Sequence, residues 1–275
     1  MGFLPVRVTS IIRNLVQKNR PPNMNGISSI ARVAIRGPWL ALGTGLLVFS
    51  GIATLWAKPK GEDDAPPRVI IATTLGPITL ELYPDRAPLT VANFLRYVDS
   101  GSLDGGAFYR TVRLDNQKPN EVPIQVVQGG RFGAALAKDD GDGDAPVEFP
   151  PIAHEPTSQT GLRHEPGAIS MARAAPGTAT SEFFISVVDS PALDFGGKRN
   201  PDGQGFAVFG RVLDGMDVVR QIHGAATDAS RNRDDLGVMQ GQLLDAPVRI
   251  CSVSRWSAAS AKHPHAPKPH CETGD

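Results

Sequence analysis

The chain has 275 residues, 41% hydrophobic and 20% charged, with 29 Gly and 24 Pro. That is apolar enough for a packed core, excludes a mainly disordered chain, and favours turns over long helices. The formal net charge is zero, but all 28 acids and only 20 of the 28 bases fall after residue 61, and a net-acidic globular part is a poor grip for phosphate backbones, so nucleic acid is not an expected partner.

Residues 1–38 form a basic arm. Trp39–Ala57 (WLALGTGLLVFSGIATLWA) then runs 19 residues without a charge. At about 1.5 Å per residue it reaches roughly 28 Å, enough to cross a hydrocarbon core as a transmembrane helix. Trp39 and Trp56 flank it, and six bases precede it, a bias that keeps the N-terminus cytoplasmic. An uncleaved signal anchor is the leading expectation. A cleaved signal peptide ending near Gly51-Ile-Ala53, a buried core helix, a mitochondrial presequence and a true start at Met24 stay open. The expected location of the remainder is therefore extracytoplasmic, on the periplasmic side, anchored through residues 39–57 or exported.

Residues 58–67 (KPKGEDDAPP) read as a linker. The globular domain is expected over 68–256. RVIIATT and PITLELY are strand-like around a Leu75-Gly76 hairpin. Thr90 is placed to cap a short helix, VANFLRYV, with Val91, Phe94, Leu95 and Val98 on its buried face and Gly101 at its end. AFYRTV, IQVVQ, AISMA, EFFISVV, FAVFGRV and PVRICSVSRW are further strand-like runs, and Asp214–Asp217 leads into a second short helix, VVRQIHG. About eight short strands with two brief helices predict a mainly β fold, a closed eight-stranded antiparallel barrel with two short capping helices. Residues 257–275 form a polar tail bearing His and Pro. Cys251 and Cys271 are compatible with a disulfide in an exported protein, or with a buried thiol and a loose one.

Several chemical signals fail on inspection. Asp140-Gly-Asp142-Gly-Asp144 begins like a calcium loop, but Ala145 stands where Gly is needed and Pro151 where a bidentate Glu is needed. His154-Glu155-Pro156 and His164-Glu165-Pro166 lack the second His of a zinc helix, and Glu-Pro discourages helix there. His263, His265, His270 and Cys271 are metal-capable, but they lie in the tail. Neither G-x-S-x-G nor a phosphate-binding glycine loop occurs. No metal or cofactor is expected.

The ordered motifs Ala107-Phe-Tyr-Arg110, Val127-Gln-Gly-Gly130, Gly167-Ala-Ile-Ser-Met-Ala172, Ser181-Glu-Phe-Phe-Ile185, Leu193-Asp194 and Val208–Met216 resemble the cyclophilin family of peptidyl-prolyl cis–trans isomerases. The resemblance spans about Arg68 to Trp256. Tyr109 and Phe206 look most like its bacterial exported branch. It implies that Arg110 is catalytic and that Gln128 binds the substrate backbone. It implies further that Val126, Phe184, Leu193 and Phe206 wall the proline pocket, and that Ala172 and Arg173 offer backbone to the peptide. Glu182, where the family has Gln, is assigned to substrate binding with them. Other departures are Gln125 for a pocket Phe, Arg173 for Asn, Ala192 for Trp, and about ten extra residues around LDNQKPNEVP. Arg173 and Glu182, of opposite charge, are expected to face one another beside the groove. The implied activity is rotation of X-Pro bonds in exported polypeptides by a monomer, assisting folding. A proline-peptide binding module with little turnover and a scaffold presenting the tail are the alternatives.

Overall fold

The computed structural model describes residues 65–118, 122–132, 148–227 and 239–256. The arm 1–38, the apolar run 39–57, the acidic loop Asp140–Asp144 and the tail 257–275 lie outside the described residues. Among the described residues no helix is long and apolar enough to cross a membrane.

Eight strands close into an antiparallel barrel in the order β1-β2-β7-β5-β6-β4-β3-β8. The strands are β1 Arg68–Thr73, β2 Gly76–Leu82, β3 Ala107–Val112, β4 Val126–Gly130, β5 Ala168–Met171, β6 Phe183–Ser186, β7 Ala207–Asp214 and β8 Leu243–Arg255. Closure leaves no free sheet edge, and alternation then sends every second side chain inward. In β2, for example, Ile78, Leu80 and Leu82 are buried between partly exposed neighbours. Inside, Phe183 meets both Phe94 (5.8 Å, 87°) and Phe108 (5.7 Å, 90°) edge to face, the arrangement that ring quadrupoles favour. β4 can pass over Phe108 because residue 129 is glycine: a Cβ there would stand 2.8 Å from the Phe108 ring.

Helix α1, Pro88–Asp99, packs Val91, Phe94, Tyr97 and Val98 onto this core, with Leu95 only partly buried. Its start differs from the expected one. Pro88 opens it, a proline at a position whose N–H needs no partner, and Thr90 lies inside the first turn. The cap comes instead from a distant loop: the Glu155 carboxylate accepts the N–H groups of Leu89 (3.1 Å) and Thr90 (2.8 Å) and the Thr90 hydroxyl (2.6 Å). A charge at a helix N-terminus outcompetes a local hydroxyl. A one-turn helix α2, Thr157–Thr160, follows Pro156, and α3, Met216–His223, adds Val218, Val219 and Ile222 to the core. Strand β8 starts four residues before the expected PVRICSVSRW run. Cys251, on β8, is disulfide-bonded rather than a buried thiol, and the one other cysteine of the chain is Cys271.

Candidate active site

A bulge in β3 makes the site. Phe108 pairs with Gly129 and Arg110 with Gln128, so Tyr109 is an extra residue with no partner across the ladder. Strict alternation would put Arg110 beside Phe108 inside the barrel. The inserted residue turns Arg110 to the outer face, the re-aiming for which bulges are used.

Register then builds a row across the outer face. Arg110 on β3 opposes Gln128 on β4, Gln128 opposes Phe184 on β6, and Phe184 opposes Ser170 on β5. At about 4.8 Å between strands, a cation, a carboxamide and an aromatic ring stand within about 10 Å. One step along lies an apolar row, Val112 opposite Val126. Val112, Ile124, Val126, Phe184 and Leu193 form a cluster separate from the barrel interior, with Ala172, Ala192 and Phe206 packed against it. The expected pocket residues Val126, Phe184, Leu193 and Phe206 are thus brought together. Val112 and Ile124 join them without having been foreseen.

The guanidinium of Arg110 is clamped. Its Nη1 donates to Gln128 Oε1 at 2.8 Å, while Nε and Nη2 donate to Gln242 Oε1 at 2.9 and 2.6 Å. Gln242, just before β8 and 2% exposed, was not among the expected site residues. Its Nε2 donates in turn to the Asn116 carbonyl at 3.0 Å, which fixes which end of the amide faces the arginine. Asn116 belongs to the extra residues after β3. Within that segment Asn116 donates to the Thr111 carbonyl, and Gln117 bridges Arg113 and Ile124. Arg199 ties it to the opposite loop by donating to Gln117 Oε1 (3.0 Å) and the Val122 carbonyl (2.9 Å). The insertion therefore supports Arg110 through Gln242.

On the other side, Gln128 Nε2 donates to the Tyr109 hydroxyl (2.6 Å), which donates to Glu182 Oε2 (2.8 Å). Glu182 Oε1 accepts from the Phe132 N–H (2.9 Å) and the Ser181 hydroxyl (3.3 Å). Burial pushes the Glu182 carboxyl above its ordinary range, and burial with the adjacent Glu182 pushes the Tyr109 phenol well above its own. Gly130 makes room for this carboxylate: its φ is +149°, and a Cβ there would stand 2.5 Å from Glu182 Oε1. Both carboxylate oxygens thus have partners within the protein, and Glu182 acts on Arg110 through Tyr109 and Gln128.

The expected Arg173–Glu182 pairing does not form. Arg173, its side chain 1% exposed, grips Asp202 with both nitrogens (Nη1 2.7 Å, Nη2 3.1 Å). It also donates from Nε to the Gly205 carbonyl at 3.0 Å, and it lies 5.1 Å from the Phe206 ring centre. Charge complementarity at the level of sequence cannot say which carboxylate is within reach, and a loop aspartate is nearer. The side chain of Arg173 thus latches the 195–205 loop and steadies Phe206. Ala172, expected to offer backbone to the peptide, has its N–H taken by the Glu182 carbonyl (2.8 Å) and packs against the apolar cluster. The 195–205 loop is tied to the backbone of Ala192: the Arg199 N–H donates to the Ala192 carbonyl (3.1 Å), and a Cβ on Gly197 would stand 2.3 Å from that oxygen.

Residues 68–242 match the family model described as cyclophilin type peptidyl-prolyl cis-trans isomerase. The chain is 38% identical over 181 residues to peptidyl-prolyl cis-trans isomerase cyp18 of Streptomyces antibioticus, covering 66% of this chain and 97% of that protein. It is 36% identical over 169 residues to peptidyl-prolyl cis-trans isomerase B of Escherichia coli, covering 61% and 91%. A Cryptosporidium parvum cyclophilin type isomerase crystal structure is similar to it with a TM-score of 0.48 at 20% identity, over 70% of this chain and 98% of that one.

Proposed function

The chain belongs to the cyclophilin-type peptidyl-prolyl cis–trans isomerase family, and from that premise we propose that Arg110 and Gln128 catalyse, and the Val126–Phe184–Leu193–Phe206 pocket binds, X-Pro segments of exported polypeptides, assisting their folding. The observation that carries the site assignment is the clamped guanidinium of Arg110 beside an apolar cluster on the outer barrel face.

An X-Pro amide resists rotation because the prolyl nitrogen shares its lone pair with the carbonyl, a barrier of about 18–20 kcal/mol. In the twisted transition state the lone pair is localised on nitrogen. A fixed guanidinium donor there stabilises the twisted state and not the planar one, which is what lowers a barrier. Arginine suits the task because it stays charged and presents its donors in a rigid plane. Gln128 and Gln242 hold that plane with carboxamide oxygens, which do not neutralise it. The apolar walls anchor the proline ring, and the backbone of Ala172 and Arg173 aligns the peptide. Glu182, assigned to substrate binding from sequence, acts in this reading from behind Tyr109.

The exported setting, on the periplasmic side and as in the family's bacterial exported branch, is supported by the basic arm ahead of Trp39–Ala57 and by the disulfide at Cys251, a bond that persists in oxidising compartments. The protein acts there as a monomer. The test is isomerisation of a proline peptide by the full chain and by Arg110→Ala. The wild type is expected to accelerate rotation and the variant to lose at least tenfold, on the order of 10²-fold, with its fold unchanged; an unchanged rate in a folded variant overturns the site assignment. Protease protection of the domain in intact cells, lost when the outer membrane is permeabilised, tests the location, and recovery in the cytosolic fraction overturns it.

A further inference from the structure

His164 contacts two of the pocket walls, Phe184 and Phe206, yet it is 0% exposed. Its Nδ1 lies 2.7 Å from Asp194 Oδ1, which also accepts the His164 N–H at 3.1 Å. Its Nε2 lies 2.8 Å from the hydroxyl of Ser170, and its carbonyl accepts the Ser190 N–H at 2.8 Å. An aspartate carboxylate can only accept, so Nδ1 carries the proton, and in the neutral ring Nε2 then accepts from Ser170. These are the distances of a hydrolytic Ser-His-Asp triad, but Ser170 is also 0% exposed and cannot reach a substrate.

The contacts on the ring faces give the set its meaning. The imidazole stacks on Phe184 (centroids 5.8 Å, planes 9° apart) and meets Phe206 edge-on (6.5 Å, 81°). Asp194 directly follows the Pro191–Leu193 turn, and the Leu193 carbonyl accepts the Phe206 N–H at 3.0 Å. Ser170 is the cross-strand neighbour of Phe184. One buried ring thus connects three walls of the pocket, which come from β6, from the 191–193 turn and from the segment entering β7.

We propose that His164 is a positioning residue for proline recognition: held by Asp194 and Ser170, its ring braces Phe184, Leu193 and Phe206 at a fixed spacing and so sets the affinity for the proline ring without touching it. The inference deepens the isomerase reading of this site and rests on it. Arg110 and Gln128 are held by a separate set of hydrogen bonds, so the brace acts on binding and not on the rotation step.

The test uses the full chain, with kcat and KM for a proline peptide and Kd for the same peptide by calorimetry. His164→Leu is expected to raise KM and Kd about tenfold, the equivalent of one internal hydrogen bond, while kcat stays within about threefold. Ser170→Ala, which deletes one buried oxygen, raises both about threefold and carries the test if His164→Leu does not fold. Asp194→Asn, which keeps an acceptor oxygen, stays near wild type. An unchanged Kd in either folded variant, or a loss confined to kcat, overturns the brace. Absence of isomerisation by the wild type overturns the isomerase reading instead.

Discussion

The barrel interior and the outer face of β3, β4, β5 and β6 are two hydrophobic regions organised on different principles. The interior cluster is filled by side chains such as Ile71, Leu80, Phe108, Phe183 and Phe209, all at 0% exposure. Its specificity is one of volume and ring geometry. The outer cluster has five buried members and is framed by polar chains on two sides, Gln242–Arg110–Gln128–Tyr109–Glu182 and Asp194–His164–Ser170. There, single oxygen and nitrogen atoms decide what a side chain can do. Close packing makes the interior costly to hollow out, whereas the outer face can lose function with little loss of fold.

Two substitutions break that comparison if it is wrong. Phe183→Ala removes a ring that meets two others inside the barrel, and is expected to cost about 3–5 kcal/mol of stability, read as a lower midpoint in urea. Arg110→Ala should leave that midpoint nearly unchanged while activity collapses. If Phe183→Ala keeps the wild-type midpoint, the interior is not the part that carries stability.

Gln242→Ala sharpens the comparison within the polar frame. It removes the oxygen that receives two N–H groups of Arg110 and leaves the Asn116 carbonyl without its donor. The expected loss is about tenfold in kcat, the value of a hydrogen bond to a charged group, with KM little changed because the pocket walls are untouched. Gln242→Glu keeps the acceptor for Arg110 and is expected to recover part of the loss. A rise in KM at constant kcat would place Gln242 in binding instead.

Arg173 predicts a smaller effect. Asp202→Asn weakens the latch on the 195–205 loop, where the Asp202 side chain is 32% exposed and so open to solvent screening. KM should rise by about threefold or less, since such pairs contribute about 0–1 kcal/mol. A loss as large as that of Gln242→Ala would mean that the loop contributes to the rotation step.

Much of this was legible before any coordinates. Eight strands were readable because alternation of apolar residues is a local signal, and four residues of the outer apolar cluster, Val126, Phe184, Leu193 and Phe206, were readable because the motifs carrying them resemble a known family. What stayed hidden depends on long-range register. Gln242 is 132 positions from Arg110, in a segment with no periodicity, and nothing local marks one glutamine among others. The bulge at Tyr109 is equally silent: AFYRTV reads as a regular strand, and only the pairing with β4 shows that Arg110 faces outward. Thr90 was misread as a cap because the carboxylate that takes that role is 65 residues away. His164 was weighed only as part of a zinc motif, since its partners Ser170 and Asp194 come from elements that sequence spacing does not bring together.

The smallest effect lies in the pH dependence of stability, where the two polar chains work with opposite sign. Burial holds His164 below the ordinary histidine value of 6.5. Below that value the unfolded chain takes up a proton that the folded protein refuses, so this contribution is complete above pH 6.5 and declines as pH falls toward the depressed folded value. The slope for one such group is at most about 1.4 kcal/mol per pH unit. His154 and His223, also depressed by burial, act in the same direction but are only half-buried and weaker. Glu182 is raised above 4.5 by burial, so the folded protein binds a proton there before the unfolded chain does, and stability is gained as pH falls through the raised value. Asp99, Asp115 and Asp202 are lowered from 3.8 and take effect only at more acid pH. Urea unfolding from pH 7 to 5 should therefore show declining stability in the wild type, a flatter profile in His164→Leu, and a steeper one in Glu182→Gln. If the Glu182→Gln profile is instead flatter than the wild type, the carboxylate is held below its ordinary value, and the hydrogen bonds from Tyr109, Phe132 and Ser181 outweigh the effect of its burial.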